Sequence, residues 1–490
     1  MKIQLEKSVV DFLAKPLPHH IGGQSRLTAT SQVMNPSDGS VLAEVSMGGA
    51  AEIDLAVRVA EKAFPAWSAL RPNERAVLLH RYADALEKHT TELAQLESLD
   101  VGKAIAAAEG FDIPFGIQCL RYYADLSLSA QYSVPLAIQN MDARTYRAPY
   151  GVCGFIFPWN FPFTLMLWGI SPALAAGNTV VVKPSEVTPL TSIRAAQIAT
   201  EAGLPPGVFN VVTGDGAKVG AALTAHPRIK RMSFTGSPEV GKKIGEVCGR
   251  NLVPCKLELG GKGAAIVFDD VDVADTATKL AGAITLNTGQ VCCTATRWMI
   301  HERIFDSFAH SVSAALKQTK IGPGPDRETQ MGPLVSEVQR QRVLGYLERG
   351  KREGATVILE GGSLAPKESP NGFFVQPALL AGGDDNVFCR EEVFGPCAYL
   401  VKFKDEDMVV GQVNQLAYGL ANSVWTADLQ RANRVAECLV AGNSWINAHN
   451  VFAYGLPYGG VNLSGIGGGV NSPETFNDYL RSQTIARPLA

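Results

Sequence analysis

An α/β protein is predicted, with two parallel-sheet units and a small β arm, and three features of the chain carry that expectation. In the middle of the sequence, short apolar runs alternate with segments of helical length, a pattern that implies parallel strands joined by helices on both faces of a sheet. A second alternating block follows it. Two extended stretches, 126–149 and 476–490, fit neither block and are expected to serve assembly. A chain of 490 residues allows about three units at roughly 150 residues each.

The elements follow in order. In EIDLAVRVAEKAF, Ile53, Ala56, Val57, Ala60 and Phe64 fall at helical spacing. Pro72 suits the first turn of a second helix, with Leu78, Tyr82 and Leu86 on one side. Strands are expected at Val152–Phe157, Thr179–Val182, Val208–Val212, Arg231–Phe234 and Lys256–Leu259, and helices at Ser192–Ala202 and Pro238–Cys248. The second block offers helices at Asp275–Ile284 and Ile304–Leu316. Its strands are Arg297–His301, Val357–Leu359, Phe373–Leu379, Tyr399–Phe403 and Ser444–Ile446. The stretch Ala148–Val182 has no charged side chain and is long enough for a bilayer. Pro158, Pro162, Pro172, Asn160 and Asn178 interrupt it, so a buried strand–loop–helix is expected instead.

Composition narrows the function. The 44 basic and 47 acidic residues leave a net charge of −3, with no positive excess for nucleic acid or an anionic membrane. Nine cysteines are too few for a disulfide scaffold, and MKIQLEKSVVDFLAK carries charge where a secretion signal needs an apolar core. A cytoplasmic chain with reduced thiols is expected. No CxxC or HExxH motif supports zinc, and no GxSxG supports a serine hydrolase.

Four segments carry chemistry. SFTGSPEVGKK, Ser233–Lys243, runs from a strand through a glycine turn into a helix, a geometry that suits a phosphate. It also begins like a P-loop, but Lys243 stands where Ser or Thr would hold magnesium. In LNTGQVCCTATR a cysteine follows a short turn; as a thiolate it would be a nucleophile. KLELGGKGA brings Glu258 to a strand end beside a double glycine, where a carboxylate is placed to act as a base. FPWNFP presents Trp159 and Asn160 on a stiff turn, and a rigid amide there can stabilise an oxyanion. Taken singly, each has a bland alternative in packing, capping or a buried small side chain.

Together with NPSDG (Asn35–Gly39), LDVGK (Leu99–Lys103), VVKPSE, EEVFGP and LPYGGVNLSGIG (Leu456–Gly467), they make the chain resemble the aldehyde dehydrogenase superfamily over nearly its whole length. The type resembled is NAD(P)-dependent and hydrolytic, since acylating relatives that use coenzyme A generally lack the glutamate at Glu258. The resemblance implies a Rossmann-like NAD-binding domain (1–125 and 150–257), an α/β catalytic domain (258–460) and a β oligomerisation arm (126–149 and 476–490). It makes Cys292 the nucleophile, Glu258 the base for thioester hydrolysis and Asn160 an oxyanion donor. Lys183 and Glu186 would bind the adenosine ribose, Gly236 and Ser237 would lie near the pyrophosphate, Phe157 and Trp159 would line the cofactor cleft, and Glu392 and Phe394 would hold the nicotinamide end. NAD is favoured over NADP because a carboxylate repels a 2′-phosphate.

The implied aldehyde tunnel is lined by Phe115, Phe161, Thr164, Leu165, Trp168, Val291, Cys293, Asn450, Phe452 and Tyr458. With no arginine to greet a carboxylate, it suits a neutral aliphatic or aromatic aldehyde. An aminoaldehyde or betaine aldehyde is the alternative, since aromatic rings also hold a cation. A homodimer or homotetramer is implied. Three departures stand out: Gly263 and Ala264 in the turn after ELGGK, Gly169 where many relatives carry lysine, and Asn462 where lysine is common. Two other classes remain open at this point: a non-catalytic binding protein on the same fold, and a nucleotide triphosphatase disfavoured by Lys243.

Overall fold

Val152–Ile156 and Thr179–Lys183 are buried at every position, as strands covered on both faces must be. They pair in parallel and form the middle of an 8-stranded sheet. Across it run Gln24–Arg26, His19–Ile21, Phe209–Val211, Thr179–Lys183, Val152–Ile156, Arg231–Thr235, Cys255–Glu258 and Gly465–Ile466. The computed structural model describes residues 4–489; residues 1–3 and 490, at the outer ends of the expected first unit and arm, lie outside the described residues.

The winding of this sheet reverses once. Chain order runs outward from Val152–Ile156 through Thr179–Lys183 to Phe209–Val211. It then returns to the other side of Val152–Ile156 with Arg231–Thr235 and Cys255–Glu258. At such a switch point the connections leave in opposite directions and open a crevice beyond the carboxyl ends of the strands. Helices Pro162–Ala175, Leu190–Glu201 and Pro238–Arg250 make three of the four connections, and the short helical stretch from Gly216 to Ala225 makes the returning one. Two apolar clusters cover the two faces, one around Phe155, Phe163 and Leu167, the other around Val181, Met232 and Leu257.

A 7-stranded sheet forms the second unit, in the order Thr356–Leu359, Ala378–Ala381, Cys397–Phe403, Ala295–His301, Gly263–Val267, Ala421–Trp425 and Asn443–Ile446. It is parallel except at Thr356–Leu359. Three antiparallel strands, Ser133–Leu136, Met141–Pro149 and Leu480–Pro488, make a separate arm.

Several sequence expectations are corrected. Residues 126–129 and 476–477 are helical rather than extended, because Ile113–Ser129 continues its buried face through Ala124 and Ser127 and Ser472 caps a short helix, Pro473–Asn477. The expected strand Phe373–Leu379 is divided at Pro377, which cannot donate to a ladder, into Val375–Gln376 and Ala378–Ala381. Gly263 and Ala264 begin a central strand instead of a turn. The apolar run from Ala148 to Val182 is strand, loop, helix and strand, and among the described residues no helix is long and apolar enough to cross a membrane.

Asn178 ties the first sheet to the C-terminal segment. Its Oδ1 accepts from Gly151 N–H at 3.0 Å, and its Nδ2 donates to the carbonyls of Ala173 at 3.2 Å and Tyr479 at 2.9 Å, all buried. Asn178→Ala would strand these groups, and a loss of about 2–3 kcal/mol is expected, read as a lower denaturant midpoint.

Candidate active site

The switch point gathers the functional segments. Phe157–Phe161 follows Val152–Ile156, Gly236 and Ser237 follow Arg231–Thr235, and Glu258 ends its own strand. Facing them from the second unit is the turn Leu286–Gly289, which leads to Cys292. This turn is held in an unusual shape: Asn287, Thr288 and Gly289 all have left-handed backbones, with φ of 46°, 56° and 70°. A β-branched threonine is strained there. Polar side chains fasten it. Asn287 Nδ2 donates to the Asn160 carbonyl at 2.9 Å, Asn160 Nδ2 to the Gln290 carbonyl at 3.0 Å, and Thr288 Oγ1 to the Gly332 carbonyl at 2.9 Å. Gln290 Oε1 accepts from Val335 N–H at 3.0 Å. The turn and the Asn160 loop are thereby locked together.

Two spaces meet at Cys292. One is a narrow apolar cavity whose walls include Phe161, Leu165, Trp168, Val291, Phe452 and Tyr458, with Asn160, Thr164, Glu258, Cys292 and Cys293 also lining it. The other is a more polar cleft lined by Trp159, Gly236, Ser237, Gln339, Arg342, Glu392 and Phe394. Asn160, Leu165, Thr235, Leu259 and Cys292 border both. A thiol at that junction faces one ligand from each side.

Most of the residues singled out from the sequence lie on these two walls, and five are placed differently. Phe157 lines the apolar cavity, not the polar cleft, because Gly169 has no side chain and admits its ring. Phe115 backs the cavity without lining it, stacked on Phe111 at 4.9 Å and on Tyr454 at 4.5 Å. Asn450, with φ of 57°, stands behind the wall: its Oδ1 accepts from the Cys293 thiol at 3.4 Å. Lys183 and Glu186 are joined at 2.6 Å, and Glu186 lines a separate groove beside Thr213 and Ser336.

Other residues of the site were not singled out from the sequence. Phe111 and Val470 complete the cavity from distant segments, and Leu286 from the Cys292 turn itself. Gln339 and Arg342 reach the cleft from helix Glu337–Arg352 and donate to the Phe394 and Glu392 carbonyls at 2.7 and 2.9 Å. Their i, i+3 spacing on an amphipathic helix was the only hint. His449 supports the cysteine pair from behind: its Nε2 accepts from Ala295 N–H at 2.8 Å, and burial lowers its pKa to about 4, so it stays neutral.

The electrostatics differ group by group. The neighbouring Cys293 thiol, and then the Tyr458 hydroxyl at 3.4 Å, hold the Cys292 thiol below its usual range against the opposing effect of burial. Burial drives Cys293 well above that range, so of the adjacent thiols Cys292 is the one poised to ionise. Burial pushes Glu258 up to about 8, and its Oε2 has no hydrogen-bond partner among the described residues. Burial also raises Glu392 to about 7, opposed by the Gly261 N–H that donates to its Oε1 at 3.0 Å. In the polar cleft, Ser237 caps helix Pro238–Arg250, accepting from Val240 N–H at 3.3 Å. The positive end of that helix meets the cleft. Lys243, the P-loop mismatch, pairs with Glu239 on the surface. Among the described residues, no group of three or more His, Cys, Asp or Glu side chains is placed to hold a metal ion.

An ionisable thiol, a buried carboxylate with one free oxygen and an amide donor thus stand together at the meeting of two ligand spaces. Residues 24–485 match the sequence model of the Aldehyde dehydrogenase family, and the chain belongs to that family. It is 41% identical over 440 residues to "Aldehyde dehydrogenase, mitochondrial" of Leishmania tarentolae, covering 89% of this chain and 88% of the relative. It is likewise 41% identical over 466 residues to a phenylacetaldehyde dehydrogenase of Pseudomonas fluorescens, covering 92% of each. The NAD+ complex of an aldehyde dehydrogenase from Bacillus cereus superposes with a TM-score of 0.97 at 36% identity, covering 100% of both chains.

Tyr458→Phe removes one donor to Cys292. Alkylation of the purified protein by iodoacetamide at neutral pH is expected to slow by about 3–10-fold, the worth of one hydrogen bond, with the pH–rate curve displaced upward.

Proposed function

We propose that this enzyme oxidises uncharged aryl- or alkyl-substituted aldehydes to free carboxylic acids with NAD, through Cys292. The observation that carries this is the position of Cys292 between an aromatic cavity and a polar cleft. Apart from Glu258, the cavity wall bears no acidic or basic side chain.

The cleft suits a dinucleotide. Its helix N-terminus at Ser237 favours a pyrophosphate. A side chain at Gly260 would overlap the Glu392 carboxylate, so backbone and carboxylate stay close and the cleft stays open. Glu392 and Phe394 would hold the nicotinamide end, and Lys183 and Glu186 the adenosine ribose, with the Glu186 carboxylate disfavouring a 2′-phosphate. NAD, when bound, supplies the hydride acceptor.

The protein's own groups handle the rest. The Cys292 thiolate adds to the carbonyl carbon and gives a thiohemiacetal. Asn160 Nδ2 and the Cys292 N–H would stabilise its oxyanion. Apolar walls exclude bulk water while the carbon is oxidised to a thioester. Glu258 then takes a proton from water, hydroxide adds to the acyl carbon, and the C–S bond breaks to release acid and free Cys292. A base with a pKa near 8 loses activity as pH falls, so thioester hydrolysis is expected to rise as pH increases through about 8. Residues 480–488 present an exposed outer strand, an edge on which a second copy would pair to give a dimer or tetramer.

NADH formation across an aldehyde panel tests the substrate reading. Phenylacetaldehyde or a medium-chain alkanal should exceed succinic semialdehyde by about 100-fold or more in kcat/KM, because a carboxylate in this cavity would be buried without a partner. Preference for the acidic aldehyde, or for betaine aldehyde, would overturn it. Cys292→Ala should abolish oxidation with NAD binding retained by calorimetry. Glu258→Gln should let acyl-enzyme accumulate, detected as an acyl mass on the intact protein; hydrolysis at the wild-type rate would remove Glu258 from the base role.

A further inference from the structure

Behind Glu258, on the same face of the first sheet, lies a cluster of buried charges that the proposed chemistry does not use. Lys256 stands two residues before Glu258 on strand Cys255–Glu258, so both side chains leave the same face. The adjoining parallel strand aligns Ser233 with Lys256 and Thr235 with Glu258, which puts Arg231 on that face too. Lys256 and Arg231 are 1% and 6% exposed, so neither charge is relieved by solvent.

Their anionic neighbour is Asp478, from the turn after helix Pro473–Asn477. Asp478 Oδ2 lies 3.7 Å from Arg231 and 4.0 Å from Lys256 Nζ. Both distances exceed hydrogen-bond length. Lys256 Nζ, Arg231 Nε, Asp478 Oδ2 and Glu258 Oε2 all lack a hydrogen-bond partner among the described residues. The charges are therefore shared and not collapsed into one closed pair. The ring of Tyr479 lies against both cations, at 5.0 Å from Arg231 and 5.3 Å from Lys256. Backbone without side chains passes close by: a Cβ at Gly468 would come within 2.8 Å of Asp478 Oδ2, and one at Gly459 within 3.1 Å of Glu258 Oε1.

Charge balance follows from these positions. Arg231 and Lys256 are two cations; Asp478 and Glu258 are two anions. Arg231 and Lys256 share the single carboxylate of Asp478, so one positive charge on this face is left over, and Glu258, two residues from Lys256 on the same face, is the anion that meets it. We propose that Lys256 is the positioning residue for Glu258: its buried ammonium group favours the ionised form of the base in thioester hydrolysis. This rests on the assignment of Glu258 as that base.

The other groups facing the pair do not replace it. Cys292, across the cavity, disfavours the Glu258 anion, while the Gly460 backbone N–H favours it. Glu474 faces Asp478, and Arg231 opposes the charge on Lys256. Burial lowers Lys256 to about 8 and raises Glu258 to about 8, and each group's charge favours the other's. Loss of the cation must therefore raise the pH at which Glu258 ionises.

The experiment is single-turnover reaction of the full-length enzyme with phenylacetaldehyde and NAD from pH 5.5 to 9.5. The NADH burst reads acylation, and intact mass reads decay of the acyl-enzyme. Lys256→Met and Lys256→Gln should keep the burst, which also shows the site is folded. Their hydrolysis limb should move up by about one pH unit, a roughly tenfold slowing below the limb. Lys256→Arg, which keeps the charge, should restore the wild-type limb. If the neutral variants keep the wild-type limb while Glu258→Gln blocks hydrolysis, the role of Lys256 is overturned and the base assignment stands. If Lys256→Arg shifts as far as the neutral variants, the residue acts by shape and the proposal fails. If Glu258→Gln hydrolyses at the wild-type rate, the base assignment fails and takes this inference with it.

Discussion

The parallel pairing of Val152–Ile156 with Arg231–Thr235 is the join on which the rest depends. On one side of it the chain winds outward through Thr179–Lys183; on the other it continues to Cys255–Glu258. A sheet wound in one direction would cover its strand ends with consecutive connections. Here the two directions part, and the loops at Phe157–Phe161 and Gly236–Ser237 border open space. The second sheet closes over that space with the Cys292 turn and with Glu392 and Phe394. The site belongs to neither unit alone, so anything that loosens their contact loosens the geometry around the thiol.

Rigidity at this junction is obtained at a local cost. Thr288 and Phe394 both hold left-handed backbones, with φ of 56° and 61°, each unfavourable by about 1–3 kcal/mol. The hydrogen bonds among Asn160, Asn287 and Gln290, and from Gln339 to the Phe394 carbonyl, offset that cost and leave a single arrangement. Amide side chains suit the task because they fasten backbone without adding charge beside a thiol whose ionisation must stay tunable.

Much of this was legible in the sequence. The strands that are apolar throughout announced themselves by composition, and the motifs at Asn160, Gly236, Glu258 and Cys292 stand at the ends of strands or beside tight turns, where spacing is strict. Other parts were not. Gly263–Val267 opens with glycine and alanines, and Ala421–Trp425 mixes in Asn422 and Ser423, so neither looked like a central strand. Their burial comes from neighbours on both sides, which local pattern does not reveal. Phe115 and Asn450 lie in the right segments but stand behind the wall, since one helical or loop rotation decides whether a side chain lines a cavity or backs it. The charges around Lys256 are out of reach for the same reason: Asp478 is brought there by the fold, with no signal near either residue.

The contact between Phe157 and Gly169 has a consequence for how this sequence can change. A Cβ at position 169 would come within 2.6 Å of the Phe157 ring, and both residues are packed in the core beside Trp168. The two positions are a coupled pair: a larger residue at 169 is admissible only after the ring at 157 has shrunk, whereas a smaller residue at 157 leaves a void that 169 can later fill. Substitutions at the two positions are thus ordered in time, with the change at 157 preceding any enlargement at 169.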